Sequence, residues 1–320
     1  MKKSERKLEI LSVLGLLLAS LFWGISFPAM KMASILPTVY ILAVRFSAAA
    51  LLLSLAFFRH FKNFNKNILK CALILSIFLF LMYFLATVGI KYTTSSRASF
   101  FTCMTFVTVP LINRIFYKVK FTKITIISVL LCFIGIFLLS YTDDLGGFGF
   151  NIGDIICILA SVAAAIYIIN LERVANAEWM DSILYTIFLI AFIALWSFIA
   201  SLFTGDFQRG VEATTPFLLG VLLFMGVFCS AASTLLQSFC QKHVPANRTG
   251  IIFAMEPASG CIFSLIILGE VMSLYAWIGA LLVMISLLYM EIATAKVEEK
   301  AEKLKAQGEV DTGINNRKAI

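Results

Sequence analysis

The chain has 320 residues, 61% of them hydrophobic and only 14% charged, with a net charge of +8 and a mean hydropathy of +0.96. A soluble domain of ordinary composition carries about 25% charged residues, and a fold of this length leaves roughly a quarter of its unfolded-chain surface in water; this much apolar surface calls for lipid as the solvent. The positive charge does not point to nucleic acid, because the basic residues sit in short gaps between apolar runs and in the tails, where membrane topology places them.

A spanning helix needs about 20 mostly apolar residues. Ten runs meet that need: Ile10–Lys31, Thr38–Phe58, Leu69–Ile90, Ala98–Tyr117, Thr122–Tyr141, Ile152–Leu171, Ser182–Phe203, Pro216–Phe239, Thr249–Leu268 and Leu274–Ala293. The first follows Lys2, Lys3, Arg6 and Lys7 like a signal peptide, but it is too long for one, so it is expected to stay as a helix. The gaps are short, which predicts antiparallel neighbours. The runs lack the period-two alternation of barrel strands.

Lys and Arg set the orientation. With the N-terminus in the cytoplasm, all of the 26 basic residues fall on the cytoplasmic side except Lys31, Lys91, Arg97 and Arg209 on the outer side and Arg45 inside a span. The sequence thus predicts a multi-pass protein of the cell (inner) membrane with both termini cytoplasmic. Residues 142–151, with Asp143, Asp144 and three glycines, form the natural midpoint. The expected division is a cytoplasmic N-terminus (1–9), a first five-helix unit (10–141), a connecting loop (142–151), a second five-helix unit (152–293) and a polar tail (294–320) with a short helical extension.

The two units resemble each other weakly. Leu18-Ala19-Ser20 matches Leu159-Ala160-Ser161, and Ile90-Lys91-Tyr92 with Arg97 matches Gln241-Lys242-His243 with Arg248. Because five is odd, a repeated unit must enter the membrane from the opposite side. The predicted fold class is therefore an all-α membrane protein of ten transmembrane helices in two inverted five-helix repeats, an architecture that puts a binding site near the midplane.

Leu21-Phe22-Trp23-Gly24-Ile25-Ser26-Phe27, Arg45-Phe46, and Glu256-Pro257 followed thirteen residues later by Gly269-Glu270 resemble the signatures of the drug/metabolite transporter superfamily in its ten-helix EamA branch. The resemblance runs from about Leu11 to Glu291. The first half departs from it, reading Tyr117-Lys118 where the second has Gly-Glu. The resemblance implies alternating access around a central cavity and movement, with export the expected direction, of a small organic metabolite such as an amino acid, a derivative or a drug-like solute.

Arg45 lies eight residues into its span. A charge at a helix centre costs about 2.5–3.5 kcal/mol on insertion scales, so it needs a carboxylate, carbonyls, water or a bound anion; snorkelling to the interface is the structural alternative. Glu256 stands beside Pro257, whose missing N–H frees a carbonyl. There it can bind a substrate amine, carry a proton, pair with Arg45 or hydrogen-bond at the kink. Trp23, Tyr83, Tyr167, Tyr185 and Trp196 fall in or near mid-span, away from the interfacial belt that aromatic residues prefer. Ser26, Thr102, Asn170, Gln237, Ser230 and Ser233 are polar groups at membrane depth, expected to bond between helices, with Asn170 and Gln237 foremost. The candidate cavity is Trp23, Ser26, Arg45, Tyr83, Thr102, Tyr167, Asn170, Gln237 and Glu256, with Glu256 the coupling candidate. Asp154 opens its span and is favoured by the helix dipole.

No cofactor or metal is expected. Cys71, Cys103, Cys132, Cys157, Cys229, Cys240 and Cys261 form no CxxC pair, and His60 and His243 are the only histidines. They read as small packing residues. The expected partners are a small-molecule substrate and the lipid bilayer, with no nucleic acid; a homodimer is compatible with the sequence. A membrane-embedded enzyme or scaffold is the competing class, but no HExxH, P-loop or GxSxG with suitable flanks supports an enzyme.

Overall fold

The computed structural model describes residues 3–118, 121–142, 147–175, 177–240, 243–244 and 252–306. Asp143, Asp144, Lys242 and Arg248 lie outside the described residues, as does the tail beyond Ala306. The architecture is helical: α1 (Lys3–Met32), α2 (Thr38–Ala56), α3 (Lys66–Tyr92), α4 (Ser95–Thr102), α5 (Thr105–Tyr117), α6 (Lys123–Leu139), α7 (Ile152–Ala175), α8 (Ser182–Thr204), α9 (Asp206–Ala213), α10 (Pro216–Phe224), α11 (Ser233–Cys240), α12 (Met255–Leu268) and α13 (Leu274–Ala306). A two-residue antiparallel ladder, β1 (Tyr141–Thr142) with β2 (Gly147–Phe148), closes the turn between α6 and α7.

Among the described residues seven helical segments are long and apolar enough to cross a membrane: Ile10–Ile35, Thr38–Ala56, Lys66–Tyr92, Ser95–Phe116, Ile152–Leu171, Ser182–Thr204 and Pro216–Gln237. Lys123–Leu139, Met255–Leu268 and Leu274–Met290 are shorter apolar helices. At 17 residues, Lys123–Leu139 rises about 26 Å, short of the roughly 30 Å hydrocarbon core. The chain is a multi-pass membrane protein.

Among the described residues three predicted spans are interrupted, the ninth of them at Ala254 just before α12. The fourth breaks at Cys103 and Met104 into α4 and α5. The eighth passes through a π-helical turn, Met225–Ala232, between α10 and α11. The tenth is longer than its apolar run, because Lys and Glu residues after Ala293 carry α13 on to Ala306.

The helix starts obey local chemistry. Thr94, Thr122, Asp181 and Thr215 accept hydrogen bonds from Arg97, Thr125, Leu184 and Leu218 backbone N–H groups at 3.1–3.2 Å, which satisfies donors that a helix leaves free at its start. Asp181 also accepts from Asn63 Nδ2 at 2.7 Å and bonds His60 Nδ1 at 2.9 Å. Burial pushes its carboxyl upward, but the bonds from Asn63, His60 and Leu184 outweigh that and leave it below the usual carboxylate value.

Packing follows the membrane rule rather than the soluble one. Leu130, Phe133, Ile134 and Phe137 on α6 and Ile278, Leu281 and Ile285 on α13 are exposed. Ser20, Ser76, Ser95, Ser99, Ser161, Ser197 and Ser264 are buried with no exposed surface. With apolar side chains outside and hydroxyls inside, helix contacts depend on small residues. Ala160, Ser161, Ala164 and Ala165, paired at four-residue spacing on α7, are buried. A Cβ on Gly135 would stand 2.8 Å from the Gly279 carbonyl oxygen, and one on Gly24 2.9 Å from the Gly260 nitrogen. Those contacts join α6 to α13 and α1 to α12.

Candidate functional site

The interior is organised around two broken helices. All eight residues of α4 are buried, and α4 packs against α12. Ser99 Oγ donates to the Pro257 carbonyl at 3.2 Å, and Ser264 Oγ donates to Ser95 Oγ at 2.7 Å. The chain turns at Cys103–Met104 after α4, and again at Ala254 just before α12. Glu256, in the first turn of α12, sits beside the Cys103 thiol, so a carboxylate from one break faces the other break.

Arg45 on α2 is 2% exposed. Its Nε donates to Ser230 Oγ at 2.8 Å, and its Cζ stands 5.3 Å from the ring centres of both Phe46 and Tyr83. Cations bind aromatic faces at such separations. Arg45 and Glu256 do not form the ion pair the sequence left open; among the described residues Arg97–Asp154, His60–Asp181 and Arg209–Asp206 are the ion pairs found. Arg45 and Glu256 nevertheless both act electrostatically on the Tyr83 hydroxyl. Tyr83, Tyr167 and Glu256 lie deep among the helices, yet each keeps part of its surface accessible.

The remaining candidates divide. Trp23 is half-buried and meets Phe253 edge-on at 4.9 Å. Ser26 is buried and donates to the Trp23 carbonyl of its own helix at 2.7 Å. Thr102 is buried at the α4 break. Tyr167 and Tyr185 are phenolic neighbours on α7 and α8. Asn170 bonds the Ile166 carbonyl one turn back at 2.7 Å, not the neighbouring helix that was expected, because its short side chain reaches its own backbone first. Gln237 is half-buried on α11. Trp196 is a packing residue, its indole N–H donating to Ser76 Oγ at 2.9 Å between α8 and α3.

Three functional contacts were not anticipated. Ser230 is the partner of Arg45. Glu270 accepts from the Ser95 and Ser96 backbone N–H groups at 2.6 and 2.9 Å and from Ser96 Oγ at 2.6 Å, tying the end of α12 to the start of α4. Asp154, 0% exposed, is not merely near a helix dipole: it pairs with Arg97 and accepts from Thr93 Oγ1 at 2.5 Å. Two opposite charges at similar depth on separate spans were the available signal for that pair.

The comparisons agree with this architecture. The profile of the EamA-like transporter family matches residues 10–141 and 151–291. An uncharacterized transporter of Archaeoglobus fulgidus is 30% identical over 290 residues, covering 87% of this chain and 85% of the relative. The uncharacterized transporter YyaM of Bacillus subtilis is 25% identical over 248 residues, covering 76% and 80%. One solved crystal structure superimposes with a TM-score of 0.58 at 14% identity, over 90% of this chain and 98% of its own, which speaks to fold alone. With both halves of the chain matched and a relative of that likeness, the protein belongs to the EamA-like transporter family.

Proposed function

We propose that this protein is a ten-helix secondary transporter that moves a small organic metabolite across the cell membrane by alternating access, in the export direction, with both termini cytoplasmic. The observation that carries the reading is the pair of broken helices meeting at Glu256, with the buried Arg45 stacked near Tyr83 in the same interior. Unwound backbone at membrane depth is tolerated where protein or a wet cavity satisfies it, and broken helices build midplane sites in transporters.

Packing supports two inverted repeats. Take α1, α2, α3, α4–α5 and α6 as the first five spans, and α7, α8, α10–α11, α12 and α13 as the second five. The α1–α12 contact then has its counterpart in the contact of α7 with α4 and α5, and α3–α7 has its counterpart in α1–α11. The contacts α2–α8, α4–α12 and α6–α13 are their own counterparts. The breaks at Cys103 and Ala254 correspond, as do Lys118 at φ 55° and Gly269 at φ 64°. Lys118, which the sequence pattern sets opposite Glu270, thus takes the place of Gly269, and Val119 falls at the register of Glu270.

Purified protein in proteoliposomes should move a labelled metabolite, and Glu256→Gln should slow that movement at least about tenfold while expression and thermal midpoint hold, as expected when a group acting in proton transfer or charge stabilisation is lost. Normal rates in Glu256→Gln remove Glu256 from the mechanism. Turnover of a lipid with no solute movement replaces the transporter reading with an enzyme. A reporter fused after Asp144 should read as outer and one after Lys242 as cytoplasmic; the reverse overturns the orientation.

A further inference from the structure

Among the described residues Arg45 is a buried cation without an ion-pair partner. The other deeply buried arginine, Arg97, pairs with Asp154. Arg45 has Ser230 on Nε and two aromatic rings, while its Nη1 is buried and donates to nothing. Buried charges are ordinarily paired or hydrogen-bonded, and an orphaned donor of a charged group is costly to leave.

The position is built, not incidental. A Cβ on Gly226 would stand 2.6 Å from the Arg45 carbonyl oxygen, so the glycine lets the π-helical turn lie directly against α2. That turn presents Ser230 to Nε, and single π turns inside α-helices occur often at functional sites. With Nε held by Ser230 and Cζ held over the Phe46 and Tyr83 rings, the guanidinium is fixed in place and its buried Nη1 is left without a partner. A guanidinium fork matches a carboxylate in a planar, bidentate manner.

We propose that Arg45 receives the carboxylate of the transported solute, which is a small organic monocarboxylate. This rests on the transporter reading above. Glu256, which shares the electrostatic neighbourhood of Tyr83 with Arg45, repels a second carboxylate and attracts an ammonium. The class therefore excludes dicarboxylates and includes α-amino acids.

The test is ligand binding by wild-type protein in nanodiscs, read as a thermal shift. The probes are short-chain monocarboxylates and the common α-amino acids, each beside the carboxamide that lacks its carboxylate charge, together with succinate and inorganic phosphate. At least one monocarboxylate should raise the midpoint while its amide does not. Arg45→Lys, which keeps the charge and loses the fork, should weaken that ligand about tenfold or more. Because an Arg45 variant can misfold, the wild type is also read by infrared difference spectroscopy with a ¹³C-labelled carboxylate, whose stretch should shift on binding.

The proposal is overturned if no carboxylate exceeds its amide, if only phosphate or succinate binds, or if a folded Arg45→Lys stays within about twofold of wild type. Movement of an uncharged solute in proteoliposomes with no carboxylate bound overturns the Arg45 assignment and leaves the transporter reading standing. Carboxylate binding with no movement of any solute does the opposite.

Discussion

Replacing Asp154 by alanine isolates the energetics of the buried ion pair. The carboxylate is fully buried, takes a hydrogen bond from Thr93 Oγ1 at 2.5 Å and one from the Asn151 backbone N–H at 3.0 Å, and pairs with Arg97. Without it, Arg97 keeps only the Gly149 carbonyl at 3.2 Å and the Phe101 face at 5.8 Å, while its Nε already lacks a partner. Breaking a buried pair from one side costs about 3–5 kcal/mol, because the remaining charge is stranded. Removing both partners strands nothing. Asp154→Ala should therefore lose about 3–5 kcal/mol, and the double variant Arg97→Met/Asp154→Ala should cost less than the sum of the two singles by about 2 kcal/mol or more. The assay is reversible unfolding in mixed micelles titrated with a denaturing detergent, followed by tryptophan fluorescence. A loss under about 1 kcal/mol for Asp154→Ala, or strict additivity in the double variant, would refute the reasoning.

Other expectations follow the same logic. Gly24→Ala forces a Cβ against Ser259 Oγ and the Gly260 nitrogen, so α1 and α12 must part; it should cost about 1–3 kcal/mol, whereas Gly220→Ala, a helical position with nothing within 4 Å, should hold or raise the unfolding midpoint. Asp181 has a depressed carboxyl value, so its contribution is present above the unfolded value of about 3.9 and disappears as pH falls through the lower folded value. Thermal midpoints measured from neutral pH downward should thus show Asp181→Asn converging on wild type only at acid pH; a constant gap would refute the linkage. Glu270→Ala removes three hydrogen bonds from the start of α4 and should cost about 1–2 kcal/mol, the range for a lost helix cap; an unchanged midpoint in the same micelle titration would show that the clamp contributes nothing.

Hydropathy made the long helices readable. Lys66–Tyr92 and Ser182–Thr204 are apolar along most of their length, and lipid rewards that regardless of neighbours. The interruptions were hidden. Nothing in Cys103-Met104 breaks a helix locally, since neither is proline or glycine, and the break depends on what packs around it. Pro257 did advertise irregularity, and the turn falls at Ala254, within the preceding turn that a proline disrupts. Arg45 was conspicuous as a charge in an apolar run; its partner Ser230 lies 185 residues away and is one serine among many. Asn170 drew notice for its polarity, yet a side chain able to reach its own preceding carbonyl needs no other helix. Cys103 read as inert filler because its neighbour Glu256 arrives only through the contact between α4 and α12.

The wide turn at Met225–Ala232 has a consequence for how this helix tolerates change. A π turn accommodates one residue more than the α-helix that could replace it. Deleting a single residue there would let α10 and α11 fuse into a regular helix while α11 keeps the face it already shows, because the wide turn is what absorbs the extra residue. What such a deletion removes is local: the bulge that carries Ser230 against α2 would close, and the hydroxyl would lose its place on the Arg45 Nε.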